Sequence, residues 1–411
     1  MKGIMKGAIG GQEGNVLILV LILLVVGGLI LAPMLGLMST GLIAGQVYEK
    51  KTDELYAADA GVEDACWQLK QTDPDPSKIP TTPEEPPLTY SLQPLNDKEI
   101  EVTIGMISGT AGDGIYKVTS TATSIGGSDT TIVSYVQTMP LFWGNAITST
   151  ADVRLESDSE VYGDVMGNVT VGKGTVDGSI SGPYDADKWP FSEDFSQVYW
   201  PQASNATLPD TKCCGGSCIL DVAANSTSGI YELGPGFRES DKQEFIVKST
   251  GDNITVTLTG TVYISGDNAT LSMGSGGQPF YLDLNNQTIY VEGRNHNLSK
   301  PNEHAFFIPP NKVTIMGSGV IIAEGNIDFQ PHMEACSENE FVFVMSLFGG
   351  VNFQPKGTLY GSVAGRDVEV GSNSVITYTA PPRDPDSGEC LLNFPWDAVE
   401  HTVRILTWDI S

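Results

Sequence analysis

Six cysteines, four histidines and fifty Asp and Glu residues are the side chains of this 411-residue chain able to hold a metal, close a disulfide or move a proton. Three cysteines stand in one run, "TKCCGGSCIL", as Cys213, Cys214 and Cys218; the others are Cys66, Cys336 and Cys390. A structural zinc site needs a second paired cluster, or histidines at short spacing. Neither is present, because His296, His304, His332 and His401 are scattered. Disulfides in an exported chain are the better expectation. Their candidates are Cys213, Cys214, Cys218, Cys336 and Cys390, with connectivity open, whereas Cys66 on a helix is expected to stay a thiol. Among the acids, Asp164, Asp177, Glu324, Asp328 and Asp367 could line a groove as paired carboxylates, the arrangement glycoside hydrolysis requires. Nothing in their spacing brings two together, so each reads first as a corner or solvated residue. No nucleophile elbow, zinc-protease, Walker or dinucleotide-binding motif stands in a supporting context. The expectation is a non-enzymatic protein with no catalytic residues, no cofactor and no metal.

The elements that carry these side chains differ sharply along the chain. Gly14 to Tyr48, "GNVLILVLILLVVGGLILAPMLGLMSTGLIAGQVY", has no charged residue. A bilayer needs only about 20 apolar residues in a helix, so this run exceeds a span. Lys2 and Lys6 precede it, and nearly all of the net charge of -28 follows it. Positive residues stay cytoplasmic, which predicts a single-pass protein with its bulk exported. The acidic exterior repels phosphate backbones, so no nucleic-acid partner is expected. A cleaved secretory signal would place small residues after its apolar run; here Gly10, Gly11 and Gly14 come before it.

Past Tyr48 the pattern turns amphipathic in "EKKTDELYAADAGVEDACWQLK". Tyr48, Leu55, Val62 and Leu69 are seven apart, with Ala58 and Ala65 in the same stripe, while Lys50, Lys51, Asp53, Glu54, Glu63 and Asp64 lie mostly off it. That is helical periodicity. One helix is predicted over 15–71, its first half in lipid and its second half packed on protein.

This arrangement resembles the type IV pilin superfamily, in which a short basic leader ending in Gly precedes an apolar half-helix and an amphipathic half bearing a head. It is most similar to PilX-type minor pilins and pseudopilins, through "QEG" at Gln12–Gly14 and "YAADAGVEDACWQL" from Tyr56. The resemblance implies a leader peptide, 1–14, removed by a prepilin-type peptidase between Gly14 and Asn15. It also implies other pilin-like subunits as partners of the stem. Major pilins carry a glutamate five residues after the cleavage point; here that place is Leu19, or Val16 if cleavage follows Gly11, and no acid occurs between Gly14 and Glu49. A minor, priming or tip component, or a plain anchor, fits that departure.

"QTDPDPSKIPTTPEEPPLTYSLQP" is too rich in proline for a helix, so 72–97 reads as an extended linker. Three alternating segments follow in 98–138, "KEIEVTIGMI", "GIYKVTSTATSI" and "TTIVSYVQTM", predicting a small antiparallel sheet. From residue 140 short Val/Ile strands end in Gly. "EVYGDVMGNVTVGKGTVDGSI" at Glu160 matches "TLYGSVAGRDVEVGSNSVITY" at Thr358. Such strands with Gly, Asn and Asp corners suit a solenoid, although an antiparallel sandwich would use the same strands. The predicted fold is mainly β: long membrane helix, small antiparallel sheet, then a right-handed parallel β-helix over 140–390. Its strand pattern is similar to that of bactofilin-like proteins. An aromatic-rich insertion, 182–250, is expected to cap or flank it, and 391–411 to return as a final strand. In the repeat, Val165 and Val363 should point inward and Ser362 outward.

The functional expectation is a membrane-anchored, surface-exposed minor pilin or pseudopilin-like protein with a β-helical head for pilus assembly, adhesion or secretion. Membrane lipid is the stem's surroundings, and surface or carbohydrate ligands are the head's candidate partners. The alternatives are an anchored scaffold or adhesin outside any filament, and a surface carbohydrate-active enzyme.

Overall fold

The computed structural model describes residues 13–70, 77–110, 113–124, 129–140, 144–186, 189, 192–209, 212–214, 217–224, 226, 229–239, 244–251, 254–274, 279–294, 304–309, 313–330, 334–335, 339–354, 356–385, 390–392, 394 and 401–410. Its first element is one helix, α1, Glu13–Lys70. Pro33 lies inside it, where a missing N–H and the ring's clash with the previous turn favour a bend. The most apolar 18-residue window has a mean hydropathy of 3.0 and none of it is covered by protein.

The second half of α1 changes partner. Ala57, Ala58, Val62, Ala65 and Leu69 are buried against Ile100, Val102, Val118, Ala122, Ile132 and Val136 of an antiparallel sheet. Small residues let the helix lie close: a Cβ on Gly61 would sit 2.1 Å from Ser120 Oγ and 3.0 Å from Val102. Tyr48, assigned to the stripe by its spacing, is 75% exposed, because the sheet does not reach that far up the helix.

The sheet has five strands rather than three. β1 (Leu88–Leu95), β2 (Lys98–Thr110), β3 (Asp113–Ser124) and β4 (Asp129–Pro140) follow in order, and His401–Ile410 closes the far edge beside β4. β1 occupies part of the expected linker. It pairs only with β2, up to a bulge that precedes Leu95, and an edge strand is where a proline such as Pro94 is tolerated.

The remaining strands form a parallel solenoid with three ladders. Face I contains Ile254–Leu258, Phe280–Asp283, Val313–Met316 and Val375–Thr377; face II contains Val262–Ser265, Thr288–Val291, Gly319–Ala323 and Val342–Ser346; face III contains Thr270–Met273, Phe306–Ile308, Ile327–Phe329, Val351–Phe353 and Val368–Val370. Inward side chains stack coil on coil. On face II one column runs Val262, Ile289, Ile321, Val344, Val363, Ile147, Val165, Ile180. Glycines turn the corners: Gly163 and Gly361 have φ of +132° and +147°, a region L side chains avoid.

That column departs from chain order. The segment 147–181 stacks on the coil built from 358–377, so the first coils in sequence lie at the end where the last ones finish. The chain then crosses by α2, Ser192–Ala203, to the opposite end and winds back. The aromatic insertion is correspondingly shorter than its composition suggests. Only its first part flanks the solenoid; Ser217–Asp221, Ile230–Leu233 and Glu244–Lys248 are in-register coil strands.

Candidate functional site

Face III presents a continuous polar column to the outside. Because side chains alternate across a strand, burying Ile327, Phe329, Val351, Phe353, Val368 and Val370 in the core turns the intervening Asp328, Asn352 and Glu369 outward. Register then aligns Phe307, Asp328, Asn352, Glu369 and Arg154 on successive coils, about 4.8 Å apart. The corner residues Asn326, Gly350, Arg366 and Asp367, with Asp152, complete a groove of about 510 Å³.

Asp328 is its most deeply set polar group, 5% exposed. Gln330 Nε2 donates to its Oδ2 at 2.6 Å, and Asn352 Nδ2 donates to its Oδ1 at 3.1 Å. Burial pushes its carboxyl up to about 6; hydrogen bonds from Gln330 and Gln354 oppose that rise and the Glu369 carboxylate adds to it. His304 lies beside it, with Nδ1 4.0 Å from Oδ2. The imidazole stacks on Phe307 with ring centres 4.4 Å apart and 12° between planes. Arg154 Nη2 stands 3.8 Å from Asp152, and Arg366 Nε donates to Asp367 at 3.1 Å. Both pairs are solvated and add little stability. At the corner, Asn326 Oδ1 accepts from the Gly350 amide at 2.9 Å. Four carboxylates face two guanidiniums, so the groove is electronegative.

Face II is covered instead. Trp189 Nε1 donates to the Leu347 carbonyl at 2.7 Å, Tyr199 of α2 packs on Tyr290, and Phe195 and Phe343 both meet Phe394 edge-on. Glu324, one of the acids singled out above, is buried there and accepts the Tyr290 hydroxyl at 2.8 Å. Its role is to satisfy a tyrosine. Asp164 is a corner residue that accepts the Ser179 amide at 2.7 Å, and Asp177 is exposed. Of the five acids, the fold brings Asp328 and Asp367 into one groove.

The cysteines divide. Cys218 is disulfide-bonded and buried at the end of the solenoid core. Cys213 faces it across an antiparallel pair of strands, with Cys214 next; Cys336 lies outside the described residues. Cys390 is corrected from the disulfide candidates: it carries a thiol, whose sulfur accepts the Leu392 amide at 3.4 Å. Cys66 is a thiol on α1, its pKa raised chiefly by burial. His296 and His332 lie outside the described residues, and among the described residues no three His, Cys, Asp or Glu side chains converge as a metal site.

Spacing gave no sign of Glu54. It is 1% exposed on the sheet-facing side of α1, accepting Ser124 Oγ at 2.5 Å and Thr130 Oγ1 at 3.1 Å, with Lys51 Nζ at 3.6 Å. Ser362 lies on the outer side of its strand, in register with Phe343, but the expectation that this side is solvated is corrected. It is fully buried and donates to the Asn145 carbonyl at 2.5 Å, because the cover on face II leaves that strand with no solvent side. Val165 and Val363 point into the solenoid core. Gly14 and Asn15 lie in the first turn of α1, and residues 1–12 are outside the described residues.

No protein-family model matches the chain, and no curated protein matches it. Among solved structures it is similar to the competence-associated pilin ComZ from Thermus thermophilus, at 12% identity over 88% of this chain and 97% of that chain, with a TM-score of 0.22. A TM-score of this size carries no argument about fold or function.

Proposed function

We propose that the chain is a membrane-anchored, pilin-like protein that joins other pilin-like subunits through α1 and displays its solenoid head outside the cell. The single observation behind this reading is the division of α1. One continuous helix has an apolar half with no protein cover and a second half built into the antiparallel sheet. A soluble protein does not leave Leu17 to Val26 exposed, whereas lipid or neighbouring stem helices bury such a surface. Lys2 and Lys6 orient the N-terminus to the cytoplasm. A prepilin-type peptidase would act between Gly14 and Asn15. The absence of an acid between Gly14 and Glu49 favours a minor or tip subunit of PilX type over a bulk one, since a lipid-buried carboxylate is retained only where a partner neutralises it. In this reading the head is non-enzymatic and serves assembly, adhesion or secretion.

The rival, an anchored scaffold outside any filament, shares every one of these features except assembly. Shearing the cell surface and probing the released filaments separates the two. The protein in the sheared fraction supports the pilin-like reading; its confinement to washed membranes, under conditions that release other subunits, supports the scaffold.

A further inference from the structure

We propose that the outer groove of face III binds a neutral, hydroxyl-rich glycan chain. The assignment goes beyond anchoring and display, and it stands on the geometry of the head alone. The column offers hydrogen-bonding side chains at every rung from Asp328 through Asn352 and Glu369 to Arg154. Carboxylate, amide and guanidinium supply acceptors and donors side by side, and the vicinal hydroxyls of a sugar, each both donor and acceptor, match such pairs. Asn352 is held in place because its Nδ2 donates to Asp328; its Oδ1 is then the acceptor left for a ligand. One rung beyond Asp328 the column continues as Phe307, a flat apolar ring backed by the His304 imidazole. A ligand with polar edges and an apolar face fits that sequence of surfaces, and a pyranose ring has both.

Other ligand classes fit less well. Carboxylates outnumber guanidiniums in the groove, so phosphate, sulfate and uronate chains are repelled. The acids are spread along the groove instead of converging, and among the described residues no group of three metal-ligating side chains forms. An extended peptide needs a free strand edge, but here the strand amides and carbonyls are committed to the coils above and below.

The test uses the full-length protein in detergent micelles. It is screened against neutral gluco-, galacto- and manno-oligosaccharides of tetrasaccharide length and above, with oligogalacturonides and sulfated oligosaccharides as the anionic arm. Calorimetry then compares the chain with its Asn352→Leu, Phe307→Ala and Glu369→Gln variants, melting being followed in parallel. A neutral oligosaccharide should bind, and each variant that melts as a folded protein should bind it about tenfold less tightly or worse. Glu369→Gln, nearly isosteric on an outward position, keeps the test decisive if another variant misfolds. Binding of anionic chains only, binding of no chain, or unchanged affinity in the folded variants overturns the assignment. Release of reducing ends from a bound chain would overturn the non-enzymatic reading of the head and leave the groove standing. Absence of the protein from filaments would overturn the pilin-like reading and equally leave the groove standing.

Discussion

At the scale of single residues, burial decides outcomes that residue type alone does not. Asp328 ionises near 3.8 in an unconstrained chain and near 6 in the fold. The folded state therefore binds its proton more tightly, and stability gained from this group is present at low pH and lost as pH rises through about 6. The full effect is on the order of 3 kcal/mol. Relative to the wild type, Asp328→Asn should flatten the fall in unfolding free energy between about pH 4 and pH 7, measured by denaturant titration at each pH. An identical slope in both proteins would mean that Asp328 titrates normally. Val363 and Ser362 make a second comparison. Val363→Asp buries an unpaired charge and should cost several kcal/mol. Ser362→Ala leaves the Asn145 carbonyl without its donor and should cost about 1–2 kcal/mol. The inward place of Val363 was legible from the alternation in "LYGSVAG". The burial of Ser362 was not, since nothing local to that strand signals that α2 and the segment around Phe394 cover face II.

At the scale of elements, α1 was legible almost to its ends, because a charge-free run followed by seven-residue spacing leaves few alternatives. What it packs on was read only in part. β1 was hidden among prolines, and the partner strand of β4 lies more than 250 residues away in sequence, a separation over which periodicity says nothing. The contact between helix and sheet depends on Gly61 and Glu54. Gly61→Val would drive a side chain into Ser120 and Val102; it should separate the two layers and cost about 2–3 kcal/mol. Glu54→Ala strips the Ser124 and Thr130 hydroxyls of their acceptor, and a loss of about 1–3 kcal/mol is expected. Hydrogen exchange on β3 and β4 checks both: their amides should exchange faster in each variant, while face I of the solenoid keeps its protection. Equal protection on β3 and β4 in the variants would remove α1 from the sheet's core.

At the scale of the whole molecule, similar short segments proved to be coils of one solenoid, but their order in space could not be read from their order in the chain. "VYGDVMG" and "LYGSVAG" look alike because both run from face I through a positive-φ glycine into face II. Only the fold places Ile147 between Val363 and Val165. A chain stopped at residue 355 would leave that column open between Val344 and Ile147, and it should be insoluble when expressed; a soluble, strand-rich product would contradict the closure. The central claim, that an apolar stem inserted as a pilin-like helix carries this head outward, is tested most directly by the N-terminal mass of the mature protein isolated from its own membranes. The account predicts a chain beginning at Asn15, and a longer, unprocessed form in Gly14→Val. A wild-type protein that retains Met1, with no change in mass pattern on substitution of Gly14, would contradict it.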